Sequence, residues 1–241
     1  MYGRSADLGQ IEALAETIGP AAEKLDALIC PPACFIAQAN WAARQSKILV
    51  GAQDCGAVEE DSARTGEVSA AMLADAGAKY VIVGHSERRS QHGESDGLVR
   101  RKAGAARAAG LIPIVCVGET QSEREGGEAG KVVAAQVAAS IPEAGGDFVV
   151  AYEPVWAIGG SRTPSVAEIA EIHAIIRDTL NLALKGAENA ETVRILYGGS
   201  VNPANAGEIF AVEGVDGALV GRASLKAADF SAIILAHPAA N

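Results

Sequence analysis

The 241-residue chain lacks the patterns by which metal centres and disulfide frameworks are usually recognised. Its four cysteines include no C-x-x-C pair, and its four histidines form neither H-x-H nor H-E-x-x-H. Thiols spaced in this way are more often reduced and buried than paired or bound to a metal. We therefore expect free cysteines and no catalytic metal.

Long apolar runs and clusters of positive charge are also absent. No segment approaches the roughly 18 to 20 apolar residues of a membrane span, and the opening Met1–Asp7 has no apolar core of a signal peptide. The 30 acidic and 20 basic residues leave a net charge of −10, with no run of Lys and Arg. These features argue against a nucleic-acid or membrane partner and predict a cytoplasmic protein.

No two glycines are separated by a single residue, so the G-x-G-x-x-G dinucleotide fingerprint is missing. Short β-rich runs nevertheless alternate with Ala-rich helical segments, which is typical of a parallel sheet built from βα units. Seven strands are predicted, at 27–30, 48–51, 80–83, 113–117, 148–151, 194–197 and 217–220. Eight helices are predicted, near 5–18, 36–45, 68–76, 94–109, 121–140, 165–184, 204–212 and 225–236.

Seven strands after an opening helix fit either an open sheet or a (β/α)8 barrel that lacks its first strand. The distinctive polar and Gly-rich segments all follow strand ends, as the loops on the carboxyl face of a barrel do. An open doubly wound sheet would concentrate such signals near one switch point. Since 49% of the residues are hydrophobic and no Pro/Ser-rich linker occurs, residues 1–241 are predicted to form one α/β barrel domain.

One carboxylate, that of Glu153, stands at the end of an apolar strand. Burying a carboxylate is costly, so this position indicates a functional group. Pro154 stiffens the chain after it, Trp156 can anchor a moving loop, and the small residues that follow allow close approach to a ligand. The pattern favours a base beneath a lid. A buried Glu paired to an Arg, followed by an ordinary turn, is the alternative.

This segment resembles the lid and catalytic base of the triosephosphate isomerase family, and the resemblance covers nearly the whole chain. Four further strand ends carry it in the family's order and spacing: Tyr80–Arg89, Pro113–Glu119, Leu196–Ser200 and Gly217–Gly221. Triosephosphate isomerase is itself a standard example of a Glu base acting with a neutral His. The resemblance implies that Glu153 is the base and His85 the electrophile, kept neutral by a short helix starting at Ser86.

The implied reaction interconverts dihydroxyacetone phosphate and D-glyceraldehyde 3-phosphate through an enediolate, without a cofactor. Glu87 matches an accessory catalytic residue of the family, although an ion pair with a nearby Arg fits its spacing equally well. A non-catalytic phosphate-binding or scaffold protein of the same fold is the alternative function. A different sugar-phosphate isomerase is disfavoured by the family-specific lid.

The resemblance also implies a phosphate site and a lid. Backbone N–H groups of Gly159, Ser200 and Gly221 are expected to bind the substrate phosphate. Arg222 stands where the family has a second glycine, so its side chain either points away or adds charge there. The lid is expected to comprise Pro154, Val155, Trp156, Ala157, Ile158, Gly160, Ser161 and Arg162.

Tyr197 is the residue that the resemblance implies as the latch of the lid. Pro164 lies where the family has the partner of that latch, and a proline has no N–H to donate. The stability of a closed lid in this chain is therefore left open.

The segment from Gln53 to Gly66 is unusually long for a loop and shows no clear periodicity. In the family the corresponding loop inserts into a partner subunit and ends in Thr-Gly-Glu, here Thr65, Gly66 and Glu67. A homodimer is therefore expected. A solvated loop without a partner is the alternative.

The largest departure from the family concerns the first residues. In the family, the first strand ends in an Asn and a Lys that line the active site, and a Met-x-Gly follows them. Met1–Gly3 of this chain aligns with that Met-x-Gly. The resemblance thus implies a chain without that strand and without those two residues. Because a lysine contact could stabilise a developing enediolate, we expect impaired isomerase activity in the chain as written.

Overall fold

The computed structural model describes residues 2–60, 62–142, 147–158, 163–184 and 190–240. Seven parallel strands form one sheet in sequential order. They are β1 (Leu28–Ile29), β2 (Leu49–Ala52), β3 (Tyr80–Val83), β4 (Ile112–Val117), β5 (Val149–Tyr152), β6 (Arg194–Tyr197) and β7 (Gly217–Ala218). Within the described ranges β7 does not pair with β1. The predicted strands, their order and the α/β barrel-like architecture are confirmed.

Helices alternate with the strands. The described residues contain ten α-helices: α1 (Gly9–Ile18), α2 (Ile36–Ala43), α3 (Ala70–Asp75), α4 (Ser86–His92), α5 (Asp96–Ala108), α6 (Gln121–Glu125), α7 (Ala129–Ser140), α8 (Val166–Ala183), α9 (Ala206–Phe210) and α10 (Ala227–Leu235). The single helix predicted over 121–140 is wrong. Gly126 ends α6 and Gly127 adopts a φ of +73°, a conformation that glycine tolerates and a helix interior excludes.

Both faces of the sheet are buried, which explains why the strands read as unbroken apolar runs rather than alternating ones. In β3, Tyr80 and Ile82 belong to a cluster inside the curled sheet, whereas Val81 and Val83 pack in the outer layer against the helices. The parallel register sets Val117, Tyr152 and Tyr197 side by side on β4, β5 and β6. The two tyrosine rings thereby lie 6.3 Å apart in the outer layer.

The amino ends of the strands are tied together by polar groups. Arg194, at the start of β6, donates to Asp26 Oδ2 at 2.7 Å and to the hydroxyl of Tyr80, at the start of β3, at 3.0 Å. The opposite, carboxyl ends carry Glu153, His85 and the Gly-rich loops. Stability and chemistry are therefore separated along the strand axis, as is usual in α/β barrels.

Candidate active site

Glu153 follows β5 directly and is almost completely buried, with 2% of its side chain exposed. Its backbone N–H donates to Val117 O at 2.7 Å, which extends the β4–β5 pairing by one residue. Its carboxylate accepts a hydrogen bond from the backbone N–H of Ser86 at Oε2, 2.9 Å away, and lies 2.7 Å from His85 Nε2 at Oε1. These two partners are a histidine and a helix-initiating N–H, and within the described residues Glu153 makes no ion pair with an arginine, as the alternative interpretation required.

His85 lies between β3 and α4 and caps that helix. The backbone N–H of Glu87 donates to His85 Nδ1 at 3.3 Å. Because Nδ1 accepts this hydrogen bond, the proton of the neutral ring is on Nε2, the atom that faces Glu153. The predicted short helix after His85 is therefore present and fixes the tautomer of the ring.

Burial alone would lower the pKa of His85, but the hydrogen bond and the charge of Glu153 raise it, and the net pKa lies above its ordinary value. With Glu153 in contact, the helix start therefore does not by itself hold the ring neutral. The protonation of His85 depends on where the Glu153 carboxylate lies.

Glu87 stands at the edge of this pair. Its carboxylate is 68% exposed and its nearest oxygen is 3.9 Å from His85 Nδ1. No ion pair of Glu87 with an arginine occurs within the described part of the chain. Its backbone, rather than its carboxylate, makes the closer contact with His85.

Two glycines leave room for the base. A Cβ placed on Gly118 would lie 2.6 Å from the carbonyl carbon of Glu153, and one placed on Gly198 would lie 2.9 Å from Glu153 Cγ. Gln136 of α7 holds Gly118 from the other side, accepting from its N–H at 2.8 Å and donating to its carbonyl at 3.0 Å. Glu153 therefore lies so close to Gly118 and Gly198 that a larger side chain at either glycine would displace it.

A second buried carboxylate holds the segment after Glu153. Glu119 is fully buried, and its Oε1 accepts hydrogen bonds from the indole of Trp156 at 2.7 Å and from the hydroxyl of Tyr152 at 3.1 Å. Val155 N–H donates to the backbone carbonyl of Glu119 at 3.1 Å. Burial and the nearby Glu119 charge together raise the pKa of Tyr152, which stays protonated and donates.

The predicted lid is described only in part. Pro154 and Ala157 are buried, Val155 to Ala157 form a 3₁₀ turn, and Ile158 is half-buried. Four predicted residues lie outside the described residues: Gly159, Gly160, Ser161 and Arg162. The predicted latch, Tyr197, is buried, and its hydroxyl has no hydrogen-bond partner among the described residues.

The remaining predicted phosphate residues follow neighbouring strands. Ser200 comes after β6 and its carbonyl accepts from Asn205 Nδ2 at 2.9 Å. Gly221 comes after β7, with Arg222 beginning a 3₁₀ turn; all three residues are exposed. The structure therefore brings Ser200 and Gly221 to the carboxyl ends of adjacent strands.

The predicted dimer loop is exposed at Thr65, Gly66 and Glu67. Gly66 has a φ of +91°, and Arg64 lies 3.5 Å from the Glu67 carboxylate. The base of the loop is closed by a hydrogen bond from Gly56 N–H to Val68 O at 2.9 Å.

Four charged side chains join this loop to the helix that starts after His85. Asp54 and Glu94 each contact both Lys102 and Arg88, with Lys102 Nζ 2.6 Å from an oxygen of each acid. Burial would raise the pKa of Glu94, but hydrogen bonds from Lys102 and Arg88 outweigh it and the pKa is lowered. Two cations thus pair with two acids in a partly buried network that fixes α4.

No role was predicted for Gly118 or Glu119, and Ser86 was expected only to begin the short helix after His85, although all three lie in segments that the sequence singles out. The signal for Gly118 and Glu119 was available, because a Gly-Glu pair at the end of a buried strand is unusual without a function. The contact of Ser86 with Glu153 spans 67 residues and had no sequence signal.

All four cysteines are free thiols. Among the described residues no cluster of His, Cys, Asp and Glu is arranged to hold a metal ion. In the same residues, no helix combines the length and the apolar character that crossing a membrane requires.

Known proteins are similar to this chain in sequence and in fold. The sequence model of the family described as triosephosphate isomerase matches residues 1–237. The triosephosphate isomerase of Afipia carboxidovorans is 54% identical over 240 residues, 99% of this chain and 94% of the relative. That of Ruegeria pomeroyi is 54% identical over 238 residues, 98% of this chain and 93% of the relative.

A crystal structure of triosephosphate isomerase from Bartonella henselae matches with a TM-score of 0.89 and 39% identity, covering 98% of this chain and 94% of that one. The comparisons correct one expectation. The family model matches from residue 1 onward, so the absence of the family's first strand, Asn and Lys is not borne out. The alternative of a non-catalytic relative is not favoured either.

Proposed function

The chain belongs to the triosephosphate isomerase family, and we propose that it interconverts dihydroxyacetone phosphate and D-glyceraldehyde 3-phosphate with Glu153 as base and His85 as electrophile. The observation that carries these roles is the Glu153 carboxylate, 2% exposed and 2.7 Å from His85 Nε2. Both groups lie at the carboxyl ends of their strands, where α/β barrels bind and convert substrates.

The reaction needs a base that can turn between two positions. In the observed arrangement one Glu153 oxygen faces His85 and the other accepts from Ser86 N–H. Removal of the proton from the carbon beside the substrate carbonyl requires Glu153 to leave these contacts and face that carbon. The proton then returns to the neighbouring carbon, so no external acid or base is consumed.

His85 stabilises the enediolate as a neutral donor. When Glu153 turns to the substrate, its contribution to the raised pKa of His85 is lost. Burial remains and disfavours the imidazolium, as does the Glu87 N–H that donates to Nδ1. The Nε2–H then donates to the substrate oxygen on which negative charge develops.

The phosphate group binds at the Gly-rich loops in this proposal. Ser200 and Gly221 follow adjacent strands, and Gly159 belongs to the loop after Glu153. Backbone N–H groups suit a phosphate in an acidic protein because they add positive potential without a net positive charge. Arg222 is exposed beside Gly221 and adds a cation at the edge of this site. Residues 154–162 act as the lid, Tyr197 as its latch and Glu87 as an accessory group.

We infer a homodimer in the cytoplasm. The exposed segment Thr65–Glu67 stands on a loop whose base is fixed by the partly buried ion pairs of Asp54, which suits a preformed docking element. The four free thiols suit a reducing compartment.

In sedimentation velocity the protein should run as a dimer, and Thr65→Arg should shift it toward monomer on dilution, whereas Thr17→Arg on exposed α1 should not. A wild-type monomer at all concentrations would contradict the dimer.

The catalytic assignment is tested by Glu153→Gln. The amide keeps the shape of the side chain but accepts no carbon-bound proton, so kcat should fall by at least about 10²-fold. The matched control is Glu16→Gln, on the exposed face of α1, which should leave kcat unchanged. The Tm of both variants is measured by thermal unfolding, to check that each variant keeps the fold. A fall in kcat of less than about tenfold, roughly 1.4 kcal/mol, would remove Glu153 from the role of base.

A further inference from the structure

One arginine contacts both chain segments that flank residues 159–162. Arg124, in α6, has its guanidinium carbon 6.0 Å from the ring centroid of Trp156, in the segment that follows Glu153. Its Nη2 lies 3.1 Å from Glu168 Oε1 and 3.6 Å from Glu171 Oε2, both in the first half of α8. The arginine side chain is 14% exposed, so these contacts are only partly screened by water.

The Trp156 end of this connection is held on two sides. The indole N–H donates to Glu119 Oε1 at 2.7 Å, and the preceding Val155 N–H donates to the Glu119 carbonyl at 3.1 Å. Glu119 fixes the polar edge of the ring, and Arg124 lies over its face. Trp156 is three residues after Glu153, so a change in the position of its ring is transmitted to the base through a short, proline-containing segment.

The Glu168 end holds the start of α8. Glu168 Oε2 accepts from the N–H of Ser165 at 2.8 Å and from its hydroxyl at 2.9 Å, and Ser165 Oγ accepts from Glu168 N–H at 3.3 Å. These contacts, the backbone N–H of Ser165 first, lower the pKa of Glu168 to about 2. Glu168 is therefore ionised at any working pH, and one carboxylate caps the helix while it pairs with Arg124.

We propose that Arg124 is a positioning residue of the isomerase reaction, tying the Val155–Trp156 segment and the Ser165 start of α8 to one support in α6. The inference rests on the proposed role of Glu153. With both flanks tied to one guanidinium, the chain that carries the base cannot shift relative to α8 without breaking an ion pair or an aromatic contact. Small misplacements of a catalytic group have large effects on rate, which is why such a tie matters for catalysis.

The first test compares two arginines whose ion pairs connect α8 to other parts of the chain, Arg124 from α6 and Arg177 from α8 itself. Arg124→Met removes the charge and keeps the length of the stem. Arg177→Met likewise removes an ion pair of α8, since Arg177 Nη2 lies 3.5 Å from Asp216 Oδ2. Both variants should lose some thermal stability. Only Arg124→Met should lower kcat/KM, by roughly tenfold, and Arg124→Lys, which keeps the charge, should recover part of the loss.

The second test measures the coupling and does not need turnover. Trp41→Phe leaves Trp156 as the single tryptophan, and the fluorescence of Trp156 is followed with and without glycerol 3-phosphate, a triose phosphate analogue without a carbonyl. Arg124→Met should shift the resting emission to longer wavelength and alter the change on ligand addition. Glu168→Gln should lower kcat/KM in the Arg124 protein, and much less in the Arg124→Met background.

The outcomes separate this inference from the catalytic assignment. Equal loss of kcat/KM in Arg124→Met and Arg177→Met, or strictly additive effects of Arg124→Met and Glu168→Gln, would show that Arg124 only stabilises the fold. Unchanged Trp156 emission in Arg124→Met would overturn the inference as well. A fully active Glu153→Gln would instead overturn the proposed base and leave the fluorescence result standing.

Discussion

Substitution of Gly118 by alanine is the sharpest test of how the base is placed. The new Cβ would overlap the carbonyl oxygen of Glu153 most severely, and it would lie 2.6 Å from the carbonyl carbon and 3.3 Å from the Cα of the same residue. Carbon atoms pack at about 3.5 to 4.0 Å, so the end of β5 must move by roughly 1 Å or more. Gly118 cannot retreat instead without breaking its paired hydrogen bonds with Gln136.

The size of the expected effect follows from that displacement. A misplacement of about 1 Å costs roughly 10²-fold in rate, and overpacking a core costs about 1 to 3 kcal/mol of stability. We therefore expect Gly118→Ala to lower kcat/KM by about 10²-fold. The accompanying fall in Tm should be roughly 2 to 12 °C for a chain of this length.

Steady-state kinetics and thermal unfolding check this prediction. Gly104→Ala is the matched control, because a Cβ at Gly104 in α5 meets nothing within 4 Å. That variant should keep full activity and gain up to about 1 kcal/mol from helix propensity. If Gly118→Ala retained kcat/KM within about threefold, the base would not depend on that backbone contact, and the reasoning on its confinement would be wrong.

Two further predictions concern the outer layer. Tyr152→Phe deletes a hydroxyl that is hydrogen-bonded to Glu119, and it should lower the free energy of unfolding by about 1 to 3 kcal/mol. Tyr197→Phe deletes a hydroxyl without a partner in the described structure, so it should leave the free energy of unfolding almost unchanged and lower kcat if Tyr197 is the latch. Equal losses of stability in denaturant unfolding would contradict the hydrogen-bond assignment. Burial lowers the pKa of His173 in the folded protein. In the unfolded chain the pKa of histidine is about 6.5, so the contribution of the neutral ring to stability is complete above that pH and is lost as the pH falls below it. His173→Gln should therefore lose less Tm than the wild type between pH 7.5 and 5, and parallel curves would count against this role.

The seven strands, their parallel order and the barrel-like sheet follow from the sequence with small errors at the boundaries. Strand β3 was predicted at its observed ends, because it is a short apolar run followed by glycine. The helix over 121–140 was mispredicted, because its hydrophobic pattern continues across Gly126 and Gly127 while the backbone does not. Periodicity reports which face a residue prefers and does not report where the chain turns.

The sequence by itself determined which residues stand at the carboxyl ends of the strands, since the alternation of strand and helix is a local property of the chain. Glu153 and His85 were identifiable on that basis and through their family pattern. Only the tertiary structure decided their mutual contact, the Ser86 N–H that holds the second carboxylate oxygen, and the closeness of Gly118 to the base. The same holds for Arg124, whose partners lie 32 and 44 residues away (156 − 124 and 168 − 124). Contacts of this kind depend on strand register and helix packing over the whole sheet, and no local pattern encodes them.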